Sequence, residues 1–279
     1  MGRLGTGNLC GEIVVSLPRE YVVFDTETTG MPPGARLVEI GAVKVRGHHI
    51  VDRFSRLIHP ECPIPPVVIR IHGIDDQAVA NAAKANEVVP EFLKWAGKAP
   101  LVGHNVQFDA TMLACEAARY GLPLPDNPTY CTLLASRRLL KYKSHALQSL
   151  VAELGLPAAE HHRALADALH TWNLMQKLEL LFGPQFHTAS MGCGRELCSF
   201  APEPIRLPEP REFLREAALA GEAITMTYRL AHGGVFQALV SPRFFYRSGA
   251  YLWMEALCHD RNFYKTYRID RILAAQPGC

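Results

Sequence analysis

Tyr21-Val22-Val23-Phe24-Asp25-Thr26-Glu27-Thr28-Thr29-Gly30 opens with β-formers and closes with two carboxylates and a turn. Residues 21–25 read as a strand. Thr28-Thr29-Gly30 and then Met31-Pro32-Pro33-Gly34 break it. Side chains two apart on a strand share a face, so Asp25 and Glu27 stand side by side. Like charges at that spacing repel and raise each other's pKa unless a cation holds them. Two oxygen ligands on a rigid element suit a hard divalent ion. Alone, Asp-x-Glu is more often a solvated strand end.

Outward from this stretch, Leu37 to Val45 predicts a second strand, with Val38, Ile40 and Ala42 alternating against Glu39, Gly41 and Val43. Ile50 to Ile58 predicts a third, and the short connections suit antiparallel hairpins. Past Pro60 the pattern turns helical, with Val88, Phe92 and Trp95 at helical spacing. Leu101-Val102-Gly103 predicts a short strand. A helix follows from about Asp109 to Tyr120, closed by Gly121 and Pro123. Ser144 fits the N-cap of a helix from Ala146 to Leu154. A long helix is expected from Ala164 to Phe182, stopped by Gly183-Pro184. Strands first, then helices and strands mixed, indicate an α/β layered domain over residues 19–183.

Residues 184–210 are rich in Pro, Gly and small polar residues and read as an extended linker. Residues 211–279 begin with a short amphipathic helix up to Ala220. Strands are then expected at 224–228, 235–240, 244–246, 251–257 and 264–269, with a Gly233-Gly234 turn. Regular short strands suggest a small, mainly-β barrel of the Sm/SH3 type.

Two more groupings carry carboxylates. In His104-Asn105-Val106-Gln107-Phe108-Asp109, a strand leads in and a helix leaves. Asp109 then sits near a helix start at the C-terminal edge of a sheet, where α/β sites lie. The plain alternative is an acid serving the helix dipole. In His162-Arg163-Ala164-Leu165-Ala166-Asp167, five residues on a helix span about 140° of rotation, so the two ends would not share a face. The reading that follows places His162 in the loop and Asp167 inside the helix. Ala164, Leu165, Ala168 and Leu169 put Asp167 on the packed side, where a charge demands a partner.

Together these three segments resemble the three exonuclease motifs of the DEDDh family, which includes the proofreading epsilon subunit of bacterial DNA polymerase III. Val38-Glu39-Ile40-Gly41-Ala42, Ile71-His72-Gly73-Ile74 and Cys131-Thr132-Leu133 are similar to its connecting segments. The resemblance spans about residues 20–180 and implies a ribonuclease-H-like fold with a mixed five-stranded sheet flanked by helices. It also implies a 3′–5′ exonuclease with two Mg²⁺ or Mn²⁺ ions. Asp25, Glu27 and Asp167 would hold the first ion. Asp25 would bridge to the second, supported by Asp109. His162 would be the general base, chosen over His161 by its spacing to Asp167. Thr28, His104 and Asn105 are the expected substrate contacts, since the Thr28–Gly30 turn lets backbone approach a 3′-hydroxyl.

Seven basic residues against three acids make residues 223–279 locally basic, and aromatics interleave with them. Such a surface can grip single strands by charge and stacking, although most of these aromatics are expected in a core. Ile224-Thr225-Met226-Thr227-Tyr228, Gly249-Ala250-Tyr251-Leu252 and Tyr267-Arg268-Ile269-Asp270-Arg271-Ile272 look like a WYL domain. That family is proposed to bind nucleic acids or nucleotide-like ligands. This copy departs at the name motif, where Ala250 takes the Trp position. Arg243, Arg268 and Arg271 are the candidate anion contacts.

The expected substrate is therefore single-stranded nucleic acid or a 3′ terminus, DNA before RNA, with a polymerase or repair partner compatible. An RNA 3′-processing enzyme of the same family is one alternative. A non-catalytic nucleic-acid-binding regulator is another, against which stand all five polar catalytic positions. At 48% hydrophobic, 20% charged and net +2, the chain has no global basic signal, so any nucleic-acid surface is local. Eight scattered cysteines suit reduced thiols in a cytosol, and Cys193-x4-Cys198 lacks the second pair of a zinc site. With no long apolar run and no signal-peptide core, a cytoplasmic protein without membrane contact is expected. Met1-Gly2-x-x-x-Thr6 fits the short N-myristoylation pattern.

Overall fold

The computed structural model describes residues 19–157, 162–183, 186 and 188–278. The Met1–Thr6 pattern, Cys10, His161 and Cys279 lie outside the described residues. Three antiparallel strands come first: β1 (Glu20–Thr28), β2 (Leu37–Arg46) and β3 (His49–Leu57). Helices α1 (Pro66–His72), α2 (Asp76–Val79) and α3 (Ala85–Ala96) follow. Then come β4 (Leu101–Gly103), α4 (Val106–Arg119), β5 (Pro128–Cys131), α5 (Thr132–Leu139), α6 (Leu147–Glu153), α7 (Ala164–Phe182) and β6 (Arg195–Glu196). The sheet order is β3-β2-β1-β4-β5-β6. The β1–β4 and β4–β5 pairs are parallel, and β6 is antiparallel to β5.

Strand β1 is central and buried on both faces. Val22 and Phe24 pack with Phe92 of α3 and Leu113 of α4, while Tyr21 and Val23 pack with Leu174 and Leu178 of α7. Each such side chain stabilises the fold by about 1.5–3 kcal/mol. A slip of one residue would exchange the two faces, so burial also fixes where Asp25 and Glu27 point.

Several features differ from the sequence reading. The sheet has six strands rather than five, because Arg195–Glu196 adds an edge. The supposed linker is partly docked: Leu197 and Phe200 enter the core under α4, and Met191 enters the second core beside α5. Helix α4 also starts three residues early, because Asn105 takes the left-handed conformation (φ 69°) and the helix begins directly after it.

The C-terminal part is α8 (Phe213–Ala220) and a five-stranded sheet of β7 (Ile224–Arg229), β8 (Val235–Ser248), β9 (Tyr251–Cys258), β10 (Phe263–Arg268) and β11 (Ile272–Pro277). Its order is β10-β9-β8-β7-β11, all antiparallel. The expected strands at 235–240 and 244–246 are one strand. A bulge between Pro242 and Phe244 absorbs the donor that proline lacks. Met226, Val240, Met254 and Tyr267 form its core. No helix among the described residues is long and apolar enough to cross a membrane.

Candidate active site

Asp25 and Glu27 lie on the β1 face that carries Tyr21 and Val23, and α7 crosses that face. Asp25 pairs with Gly41 of β2. A β-carbon at Gly41 would overlap the Leu165 backbone nitrogen in the first turn of α7. The absent side chain is therefore what lets the helix lie on the sheet and carry Asp167 to β1. Carboxylate oxygens of Asp25, Glu27 and Asp167 lie within 4.8 Å of one another, all on half-buried residues. Among the described residues, this is the one group of three or more His, Cys, Asp or Glu so arranged.

Glu39 fixes the entry of α7. It sits opposite Glu27 on β2 and is 1% exposed. It accepts from the Arg163 guanidinium at 2.8 and 3.1 Å and from the Ala164 N–H at 3.0 Å. That amide is one of the donors a helix start leaves unmatched.

Asp109 arrives from the other side, on α4, and is 2% exposed. Strand β4 covers β1 only at Val22 and Val23. Past that point Asp109 accepts from the Thr26 N–H at 2.9 Å and from its hydroxyl at 2.7 Å. Burial, then repulsion from Asp109, Glu27 and Asp167, pushes Asp25 well above the usual carboxylate range. Burial, then Asp167 and Glu39, pushes Glu27 up to about 8. Burial outweighs the Thr26 hydrogen bonds and brings Asp109 to about 7. Carboxylates so crowded form a site short of positive charge, which is the condition a hard cation relieves.

His162 lies in the turn ahead of α7, with φ 60°. Its N–H donates to Asp167 Oδ2 at 3.2 Å, and its ring Nε2 meets the Gln148 amide of α6. The Thr28 hydroxyl donates to the Gly30 carbonyl at 2.7 Å and closes the turn after β1. Beneath it, buried His72 accepts the Ile74 N–H on Nδ1 at 3.0 Å. Its proton therefore sits on Nε2, which faces the Thr28 carbonyl at 3.3 Å. His104 is held internally, Nδ1 against the Thr132 hydroxyl at 2.9 Å and Nε2 against the His145 carbonyl at 2.8 Å. Asn105 beside it is exposed.

With this geometry in place, known families account for both parts of the chain. The Exonuclease family (RNase_T) matches residues 22–175, more than half of the chain. The chain belongs to the RNase T exonuclease family. The WYL domain family matches residues 212–277. The exonuclease domain is similar to DNA polymerase III PolC-type of Caldanaerobacter subterraneus subsp. tengcongensis, 38% identical over 170 residues. That match covers 60% of this chain but 12% of the relative, so most of PolC has no counterpart here. The putative bifunctional exonuclease/endonuclease protein MT2247 of Mycobacterium tuberculosis is 34% identical over 208 residues, covering 70% of this chain and 31% of that one. Exonuclease X, solved in complex with 5′ overhanging duplex DNA, is 30% identical with a TM-score of 0.50, covering 61% of this chain and 96% of that chain. The exonuclease domain thus has the ribonuclease-H-like fold and is of the DEDD type.

The structure brings the four expected carboxylates to one end of β1 and sets the His162 backbone against Asp167, with the His162 ring turned to Gln148. Around them it adds Glu39, Gly41, Thr26, His72 and Gln148, which sequence reasoning assigned no role. A glycine and an acid inside an otherwise apolar strand, Glu39-Ile40-Gly41, was the available signal for two of them. The C-terminal arginines are placed otherwise than expected. Arg243 donates to Glu255 and Glu61 at 2.7 Å each, and Arg268 donates to Asp270 at 2.6 Å while lying over the Tyr251 ring. Arg243 is thus matched by buried carboxylates rather than open to an anion, while Arg268 pairs with the exposed Asp270.

Proposed function

We propose that this chain removes nucleotides from the 3′ end of DNA, using two Mg²⁺ or Mn²⁺ ions held by Asp25, Glu27, Asp109 and Asp167. The observation that carries the reading is the convergence of Asp25, Glu27 and Asp167 oxygens within 4.8 Å. Their crowding fits bound cations, because without positive charge these carboxylates repel one another. Divalent ions in such a site lower the pKa of water and offset charge on a phosphate.

The chain's own residues supply the rest. His162 lies in the turn beside the carboxylates and takes the proton from the attacking water. Its contact with Gln148 holds the ring until substrate arrives. Thr26 orients Asp109, and Glu39 with Arg163 anchors the helix that carries Asp167. The Thr28–Gly30 turn receives the terminal nucleotide, with Asn105 exposed alongside. DNA is favoured because the PolC-type relatives are DNA polymerases and the Exonuclease X complex holds DNA. The WYL domain serves as a ligand- or nucleic-acid-binding module.

The test is mononucleotide release from a 3′-labelled strand with Mg²⁺ or Mn²⁺, run on matched DNA and RNA. Release from DNA that disappears in Asp25→Ala is expected. No metal-dependent release from any strand would overturn the reading, and faster release from RNA would overturn its substrate.

A further inference from the structure

Arg36 belongs to the loop that follows the catalytic strand, yet it is 1% exposed. Its guanidinium donates to Glu116 of α4 at 2.9 Å and to Glu61 at 3.1 Å. Two residues of the WYL sheet complete this cluster. Arg243 of β8 donates to Glu61 at 2.7 Å and to Glu255 of β9 at 2.7 and 3.0 Å. The other Glu255 oxygen accepts from Arg119 of α4 at 3.0 Å, and Arg119 donates to the Pro33 carbonyl at 2.6 Å. Arginines and glutamates are balanced across the domain boundary. Removing one leaves an opposite charge buried without its partner, which the structure resists.

The loop gripped in this way is tied to the active site. The Thr29 N–H donates to the Arg36 carbonyl at 2.9 Å, and the Arg36 N–H donates to the Thr29 hydroxyl at 2.9 Å. At the loop tip, a β-carbon on Gly34 would overlap the Tyr246 hydroxyl of β8. Tyr246 cannot swing aside readily, because its ring stacks between Phe244 and Trp253. The Thr28–Gly30 turn is therefore held from behind by side chains of the second domain.

We propose that Arg243 and Glu255 are positioning residues for the nuclease: through Arg36 and Pro33 they set the turn that receives the 3′ terminus. The inference rests on reading that turn as the 3′-end contact. It makes the WYL domain a brace for the active site, so that a ligand shifting β8 and β9 is felt at the substrate.

The experiment uses the full chain and steady-state release from a 3′-labelled DNA strand, with active-enzyme concentration measured separately. Arg243→Met raises KM about tenfold and leaves kcat within about twofold, the pattern of lost substrate positioning. Arg243→Lys keeps the charge at Glu61 and Glu255 and recovers most of the loss. A purely structural role would lower the active fraction and leave KM alone, and a wild-type KM in folded Arg243→Met overturns the proposal. If Arg243→Met does not fold, Gly34→Ala disturbs the same loop without removing a charge. A raised KM there supports the proposal, and an unchanged one overturns it. A wild-type chain without nuclease activity would instead sink the underlying reading and this inference with it.

Discussion

Replacing Glu27 with glutamine is expected to make the metal-free protein more stable while destroying its activity. In the folded chain the Glu27 carboxyl is pushed up to about 8 from its ordinary 4.5, first because it is buried and then because Asp167 and Glu39 repel its charge. Between those two values the unfolded chain has given up a proton that the folded chain keeps. The group's stabilising contribution is therefore full below pH 4.5 and is lost as pH rises towards 8. At pH 7 the loss is about 3 kcal/mol, at about 1.4 kcal/mol per pH unit. Water reaching this half-buried side chain screens it to about 1–2 kcal/mol. For a chain of this size, that raises the melting temperature of Glu27→Gln over wild type by about 3–6 °C. Calorimetry without metal should show the difference at pH 7 and little of it at pH 4.5. Adding Mg²⁺ or Mn²⁺ should reverse the order, because binding to the folded wild type adds about 2.7 kcal/mol at a hundred times the dissociation constant. A Glu27→Gln protein that melts with or below metal-free wild type at pH 7 would refute the idea that these carboxylates are held together against their repulsion.

Two further outcomes follow from the same geometry. His162→Gln should lower kcat by about 10²–10⁴-fold while leaving the metal-induced rise in melting temperature intact, which separates a proton acceptor from a ligand. A variant that loses metal binding would contradict that role. Gly41→Ala places a β-carbon against the Leu165 backbone, so α7 must shift away from β2. Urea melts should show a loss of about 1–3 kcal/mol, and activity should fall further than the folded fraction explains. Unchanged activity would mean that Asp167 does not depend on this contact.

Much of the exonuclease domain was legible because its elements are long and periodic. The unbroken β-forming run Tyr21-Val22-Val23-Phe24 marks β1 as a buried strand, and the two-residue spacing puts Asp25 and Glu27 on one face. The helix from Ala164 to Phe182 keeps its expected bounds, and its first turn carries Asp167 while His162 stays in the loop. What escaped is short or is stabilised from outside. Arg195–Glu196 is too brief to show a period, and it is a strand only because β5 offers an open edge. Strand β11 contains Ala274, Ala275, Gln276 and Pro277, which have little preference for a strand, and pairing with β7 holds it. The Thr26–Asp109 bond joins residues 83 apart, and no local pattern announces such a partner.

The misread arginine shows where this limit is sharpest. From sequence, Arg243 stands among aromatics in a locally basic segment, which is the pattern of a nucleic-acid contact. In the fold, Glu61 lies 182 positions away and takes that charge. Burial raises the cost of an ionised Glu255, yet Arg119, Arg36 and Arg243 still hold its carboxyl below the ordinary range. Buried ions are tolerated only when their partners are already in place, and here Arg243–Glu61 and Arg119–Glu255 complete the matching across the boundary. The same balance leaves a net charge of +2, which gives composition nothing to detect. Docking of the two domains is thus specified by charges that look like solvated surface in either half alone. One of those charges, Arg36, lies in the loop behind the turn after β1, which is why the boundary between the domains also bears on the chemistry.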